Sequence, residues 1–255
     1  MPAWRSPPAE LPAGDARSQG RLRGYLTSVF EASEDENKRV ILAYARAEPA
    51  RRRILDIGCY NGAYTMDLAA AARAEHVAGI EWLDEHAAEA RAGGVDVSVA
   101  DISDGLPYPD ASFDLVHANQ VIEHVRGTDG FLREVRRVCA PGGRVVLATN
   151  NLASWHNIAS LALGFQPFPS HVSDEVHVGN PFDPRRHRRH ADAGQTHLRV
   201  FTTRALVELA EIHGLTLDRT LMNGYYPLPP WGARIASRVD PKHAAFMVVA
   251  LRPVA

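Results

Sequence analysis

Residues 54–65 read ILDIGCYNGAYT. Ile54, Leu55 and Ile57 around a single acid, cut off by Gly58, have the form of a buried strand and its turn. Gly58 and Gly62 fall in the turn that opens the next helix, where the backbone takes unusual dihedrals and a ligand approaches without a side chain in the way. Their spacing is not GxGxxG, which disfavours a nicotinamide dinucleotide.

Strands and helices alternate outward from this turn. Helix is expected over 65–73, 83–92 and 129–139, and strand over 76–80, 96–100, 113–118 and 144–149, the last after a tight turn at Pro141, Gly142 and Gly143. This βα rhythm argues for a parallel sheet with helices on both faces, and such sheets bind ligands beyond the carboxyl ends of their strands. Glu81 follows Asp56 by 25 residues and ends the strand HVAGI, where a carboxylate can accept both hydroxyls of a ribose. Asp101 follows by another 20 and ends the strand VSVA, where it can accept the exocyclic amine of an adenine. Three acids at successive strand ends suit a nucleoside without phosphates.

In this order and spacing the motifs ILDIGCYNG, GIEW, VADI, LPYPDASFDLVHANQVIEHV and VRRVCAPGGRVVLATNN resemble the class I S-adenosylmethionine-dependent methyltransferases of the type 11-like domain family. The likeness covers roughly residues 52–151. It implies a Rossmann-like α/β fold with a seven-stranded, mostly parallel sheet of order 3-2-1-4-5-7-6. It also implies that Asp56, Gly58 and Gly62 hold the methionine end of S-adenosyl-L-methionine, Glu81 the ribose, and Asp101 with Ile102 the adenine, with Asn61 and Trp82 also in the cofactor site. Asn119 and Gln120 would stand beside the donor methyl group. Tyr60 or Tyr64 offers an aromatic face for the sulfonium. His124, in VIEHV, commonly lines the reaction centre in such proteins; here it is either a base or substrate contact or a helix-terminal packing residue. Glu123 beside it is expected to face solvent or the N-terminal helices.

The 255 residues carry a net charge of -2, giving no broad positive field to attract a polyanion. Cys59 and Cys139 stand too far apart for a disulfide framework or zinc knuckle, which fits a reducing cytoplasm. The longest apolar stretch, around 158–168, is too interrupted to span a membrane. Residues 1–20 are expected to be a mobile leader, 21–48 two short helices divided by the acidic run 34–36, and 49–255 the catalytic domain.

The alternation stops over 150–200, a stretch rich in proline and histidine and too long for a plain connection. It is expected to be a lid with some helix of its own, after which helix 202–213 and strands 215–221 and 244–251 complete the sheet. Trp155 and His156 should line the acceptor pocket, with His171 and His197 also contacting substrate, and His197 is a second candidate base. His171, Asp174, Glu175 and His177 are close enough in sequence to raise a metal, but loops of this composition are usually solvated and no metal is expected. Arg185 to His190 is expected to be a solvated basic loop, and the aromatic, proline-rich link at 225–231 a flap, a pocket wall or an oligomer contact. The combined expectation is O-methylation of a small secondary metabolite or sugar. An RNA or protein methyltransferase and a cofactor-binding protein without turnover are the alternatives; a homo-oligomer stays open.

Overall fold

The computed structural model describes residues 18–190 and 196–254, so most of the expected leader lies outside the described residues. A single helix α1 (Ser18–Ala47) replaces the expected pair. The acidic run does not break it: Leu26, Val29, Ser33, Asn37, Ile41 and Tyr44 face inward in one unbroken helical period. The apolar signal fades midway only because two inward positions are polar. Ser33 donates to the Val29 carbonyl at 2.8 Å, and Asn37 bonds to other elements as described below.

Then follow β1 (Arg53–Ile57), α2 (Ala63–Ala72), β2 (His76–Glu81), α3 (Asp84–Ala92), β3 (Asp96–Val99), β4 (Phe113–Asn119), α4 (Thr128–Val138) and β5 (Cys139–Asn150). The chain continues through α5 (Trp155–Ala162), α6 (Thr203–Ile212), β6 (Leu215–Asn223), α7 (Pro230–Val239) and β7 (Phe246–Pro253). The seven strands form one sheet of order β3-β2-β1-β4-β5-β7-β6, as expected. Only β7 runs antiparallel to its neighbours β5 and β6.

Alternate residues of each strand point to opposite faces, and both faces are buried. Leu55, Val116, Leu147 and Val249 pack with Phe131 and Leu132 of α4 and Leu206 of α6. Ile54, Leu115, Val146 and Val248 pack with Ile41 of α1 and Leu68 of α2. Each such fully buried side chain contributes roughly 1.5–3 kcal/mol. Helix α7 was not foreseen. Pro230 at its start and an apolar face meeting Tyr225 and Ala244 build it from the expected link.

The lid lies against α1 and the segment that follows β6. Arg23 of α1 donates to the Arg186 and Pro184 carbonyls at 2.8 and 3.2 Å, and the Tyr226 hydroxyl donates to the Phe182 carbonyl at 3.1 Å. Within the lid, the Asn180 amide donates to Ser160 Oγ and to the Gln166 carbonyl, both at 2.9 Å. Buried asparagines replace the regular ladder that a loop lacks. None of the described helices is long and apolar enough to cross a membrane.

Candidate active site

A cleft of about 850 Å³ opens at the carboxyl ends of β1, β2, β3 and β4, with α1 and the lid closing its far side. Gly58, Tyr60, Glu81, Trp82, Asp101, Ile102, Asn119, Gln120, His124, His171 and His197 all line it. The cleft therefore gathers most of the residues singled out in the sequence, from both the sheet and the lid.

The Glu81 carboxylate is held by three backbone N–H groups, from Tyr60 at 3.0 Å, Trp82 at 2.9 Å and Leu83 at 3.1 Å. Such anchoring fixes its direction while leaving lone pairs for a diol. Asp101 accepts the Ser103 N–H at 2.8 Å, and that bond pulls its carboxyl below the ordinary range. Gln120 sits at φ +57° just past β4; its Oε1 accepts the Asn150 amide at 2.8 Å. Its Nε2 is buried without a partner among the described residues, a donor suited to a ligand in the cleft. Asn119 Oδ1 accepts the Asn37 amide at 2.9 Å, and Asn37 Oδ1 accepts from Asn223 at 3.1 Å. Through Asn37, α1 is tied to the ends of β4 and β6, and it adds Phe30 and Glu34 to the cleft wall.

Several expected residues lie elsewhere. Asp56 is buried and does not line the cleft: its carboxylate accepts Thr65 Oγ1 at 2.6 Å and pairs with His117 Nδ1 at 2.7 Å. It locks the end of β1 to its neighbour in β4 and to the first turn of α2. Asn61 Oδ1 accepts the Ala63 N–H at 3.2 Å in the turn that leads into α2, and Asn61 does not line the cleft. Gly62, at φ +79°, stands where a Cβ would come within 2.9 Å of the Ala90 Cα, so α3 packing requires it. Tyr64 packs between α1 and α2, its ring 5.7 Å from that of His117.

Trp155 points away from the cleft, donating to Asp240 at 2.8 Å with its ring 4.4 Å from His243. His156 also misses the cleft, lying 5.3 Å from the Phe168 ring and 5.4 Å from Tyr226. Burial pushes its imidazole down to about 4.

Glu123, expected to face solvent or the N-terminal helices, is fully buried, and burial raises its carboxyl to about 7. The chain turns tightly at Ile122–His124, and the Glu123 carbonyl accepts the Leu198 and Arg199 N–H groups, which draws the end of the lid over it. His124 and His197 meet edge to face, with ring centroids 4.8 Å apart. Burial pushes His197 down to about 2 and His171 to about 3. His171 contacts His177 and His190 at 4.8 and 4.7 Å, while Asp174 and Glu175 stay exposed outside this cluster. His177 and His190 were missed or misassigned because nothing periodic marks a loop whose residues meet only after it folds. The basic run is not simply solvated: Arg185, Arg188 and Arg189 line the cleft with Arg126, and the Arg185 guanidinium lies 4.9 Å from the centre of the Phe30 ring.

The sheet order and the cleft at its carboxyl edge define the class I methyltransferase fold. Residues 55–147, a little over a third of the chain, match the methyltransferase domain family, and over that stretch the chain is similar to S-adenosylmethionine-dependent methyltransferases. Among curated relatives, it is 35% identical over 133 residues to 27-O-demethylrifamycin SV methyltransferase of Amycolatopsis mediterranei, covering 49% of this chain and 48% of that one. It is 30% identical over 135 residues to tocopherol O-methyltransferase of Arabidopsis thaliana, covering 49% and 37%. The chain thus matches about half the length of these relatives or less. Among solved structures, 1,6-didemethyltoxoflavin-N1-methyltransferase of Burkholderia thailandensis superposes with a TM-score of 0.52 at 16% identity, covering 97% of this chain and 94% of that one. A possible histamine N-methyltransferase of Thermotoga maritima gives 0.57 at 16% identity, covering 91% and 98%.

The donor half of the cleft fits this cofactor. Its anchored carboxylate suits a ribose, its acid at the end of β3 an adenine, and the unpartnered Gln120 amide the polar methionine end.

Proposed function

We propose that the protein transfers the methyl group of S-adenosylmethionine to a small-molecule acceptor, most simply an oxygen of a secondary metabolite or sugar. The observation that carries this reading is the lid-covered cleft, in which the anchored Glu81 and the histidine pair His124 and His197 face one cavity. The rifamycin and tocopherol O-methyltransferases among its relatives, named for small molecules, support it.

Glu81 accepts the ribose hydroxyls, Asp101 with the Ile102 amide takes the adenine, and Gly58 lets the backbone approach. Tyr60, exposed in the cleft, offers its ring to the sulfonium. When bound, the cofactor supplies a methyl group already activated by positive charge. The protein's task is then alignment of the acceptor, worth up to about 7–11 kcal/mol of barrier, with proton removal by His124 or His197. A cytoplasmic location belongs to the same proposal and rests on two free, buried cysteines.

Calorimetry with S-adenosylmethionine tests the donor half. Binding to the wild type and a loss of roughly 10–100-fold in Glu81→Ala are expected from removal of two charge-assisted hydrogen bonds. Unchanged affinity in Glu81→Ala would overturn the assignment. A polymer acceptor is the second reading, favoured by the four arginines at the cleft. Salt-dependent binding of RNA would support it.

A further inference from the structure

We propose that Glu123, His124 and His197 form a binding site for a divalent transition-metal ion on the acceptor side of the cleft. One ligand atom from each of the three lies within 4.8 Å of the others, a separation that small side-chain shifts close around an ion. His124 Nδ1 stands 3.2 Å from the Thr196 carbonyl and His197 Nδ1 2.8 Å from the Pro169 carbonyl. Both rings are thus oriented through Nδ1 by a backbone carbonyl, the arrangement in which an imidazole presents Nε2 to a metal. The Glu123 carboxylate is buried away from water close to both rings, and a buried carboxylate is stabilised by a cation beside it. Hydrogen bonds from the Leu198 and Arg199 amides to the Glu123 carbonyl, and from Arg199 to the Val125 carbonyl at 2.8 Å, hold the two contributing segments together.

The neighbouring triad of His171, His177 and His190 is the weaker place for an ion. His171 Nδ1 accepts the His197 backbone N–H at 3.1 Å, so the proton of the neutral ring sits on Nε2, where a ligand needs a lone pair. Two imidazoles and one carboxylate suit Zn²⁺, Mn²⁺, Fe²⁺ or Co²⁺ better than Ca²⁺, and three protein ligands leave coordination positions open. His124 and His197 face the cleft, so those positions open towards the acceptor. Granted the methyltransferase reading, the ion would take over from His124 and His197 the role of activating the acceptor: a hydroxyl bound there would be polarised and release its proton to water, and the acceptor class narrows to oxygen.

The test strips the purified full chain with a chelator, then titrates Zn²⁺ and Mn²⁺ by calorimetry and Co²⁺ by its visible absorption. One ion per chain is expected. Affinity should fall at least tenfold in the near-isosteric Glu123→Gln and in His197→Ala, and stay at the wild-type level in His190→Ala, each variant first shown to be folded by circular dichroism. Absence of stoichiometric binding would overturn the proposal, as would wild-type affinity in Glu123→Gln, or loss in His190→Ala alone. Calorimetry with S-adenosylmethionine on the same protein separates the two readings: cofactor binding without an ion sinks only the metal, and an ion without cofactor binding sinks only the transferase.

Discussion

Two acids of similar sequence promise have different jobs. Asp56 is bonded to Thr65 and His117 inside the sheet, so Asp56→Ala should strand the His117 Nδ1, leave Thr65 Oγ1 only its long contact with the Cys59 carbonyl, and reduce stability by about 2–4 kcal/mol. Thermal melts check this. Below the melting range, Asp56→Ala should keep more cofactor affinity than Glu81→Ala, whose carboxylate faces the cleft. His156 yields a pH prediction. Its folded-state pKa, about 4, lies below the ordinary value of 6.5, so the unfolded chain binds the proton first. The stability it contributes is complete above about pH 6.5 and is lost as pH falls towards 4, a difference of about 3 kcal/mol. His156→Phe, which suits the ring contacts with Phe168 and Tyr226, should flatten that part of the curve in urea unfolding at stepped pH. The same buried histidine shows why Trp155 and His156 could not be placed from sequence. Both follow β5, but the direction of α5 is set by Asp240 and Phe168, distant residues with no local signal.

At the scale of elements, what was legible followed periodicity and punctuation. The strands of the sheet and the turn at Gly58 carry their pattern within a few residues, and so their places along the chain were readable, whereas the order of the strands in the sheet came only from the family resemblance. Helix α1 was misread because Ser33 and Asn37 occupy inward positions where apolar residues would have kept the period visible. That polar choice has a purpose: Asn37 bridges Asn119 and Asn223, joining the helix that carries Phe30 and Glu34 to two strand ends. Asn37→Ala should cost about 1–3 kcal/mol by stranding the two partner amides, and loosen α1 from the cleft. Hydrogen exchange over 26–44 is the measurement. Faster exchange there than in β4 is expected, whereas uniform acceleration would mean that α1 does not open as a unit.

At the scale of the whole molecule, the cleft takes one wall from the sheet, one from α1 and one from the lid, so a ligand that fills it joins all three. The lid wall was the least legible. The Arg185–His190 run looks solvated in sequence, yet the Val176–Arg189 bridge and the Arg23 bonds to the Pro184 and Arg186 carbonyls turn three of its arginines towards the cavity. Glu81 and Asp101 on the donor side and three arginines on the lid side bias the cleft's charge along its length, with Arg126 near Asp101 and Glu34 near Arg185 tempering the contrast, a bias that suits a cationic donor facing an acceptor that bears negative charge. Binding of the demethylated product, S-adenosylhomocysteine, should therefore stabilise the fold as a unit. At one hundred times its dissociation constant the gain is about 2.7 kcal/mol, which raises Tm by roughly 5–10 °C for a domain of this size. The shift should persist in Arg185→Ala, because that residue belongs to the acceptor wall, and largely vanish in Glu81→Ala. Differential scanning calorimetry decides between this division of the cleft and one in which the lid arginines hold the cofactor, since the latter requires Arg185→Ala to abolish the shift as well.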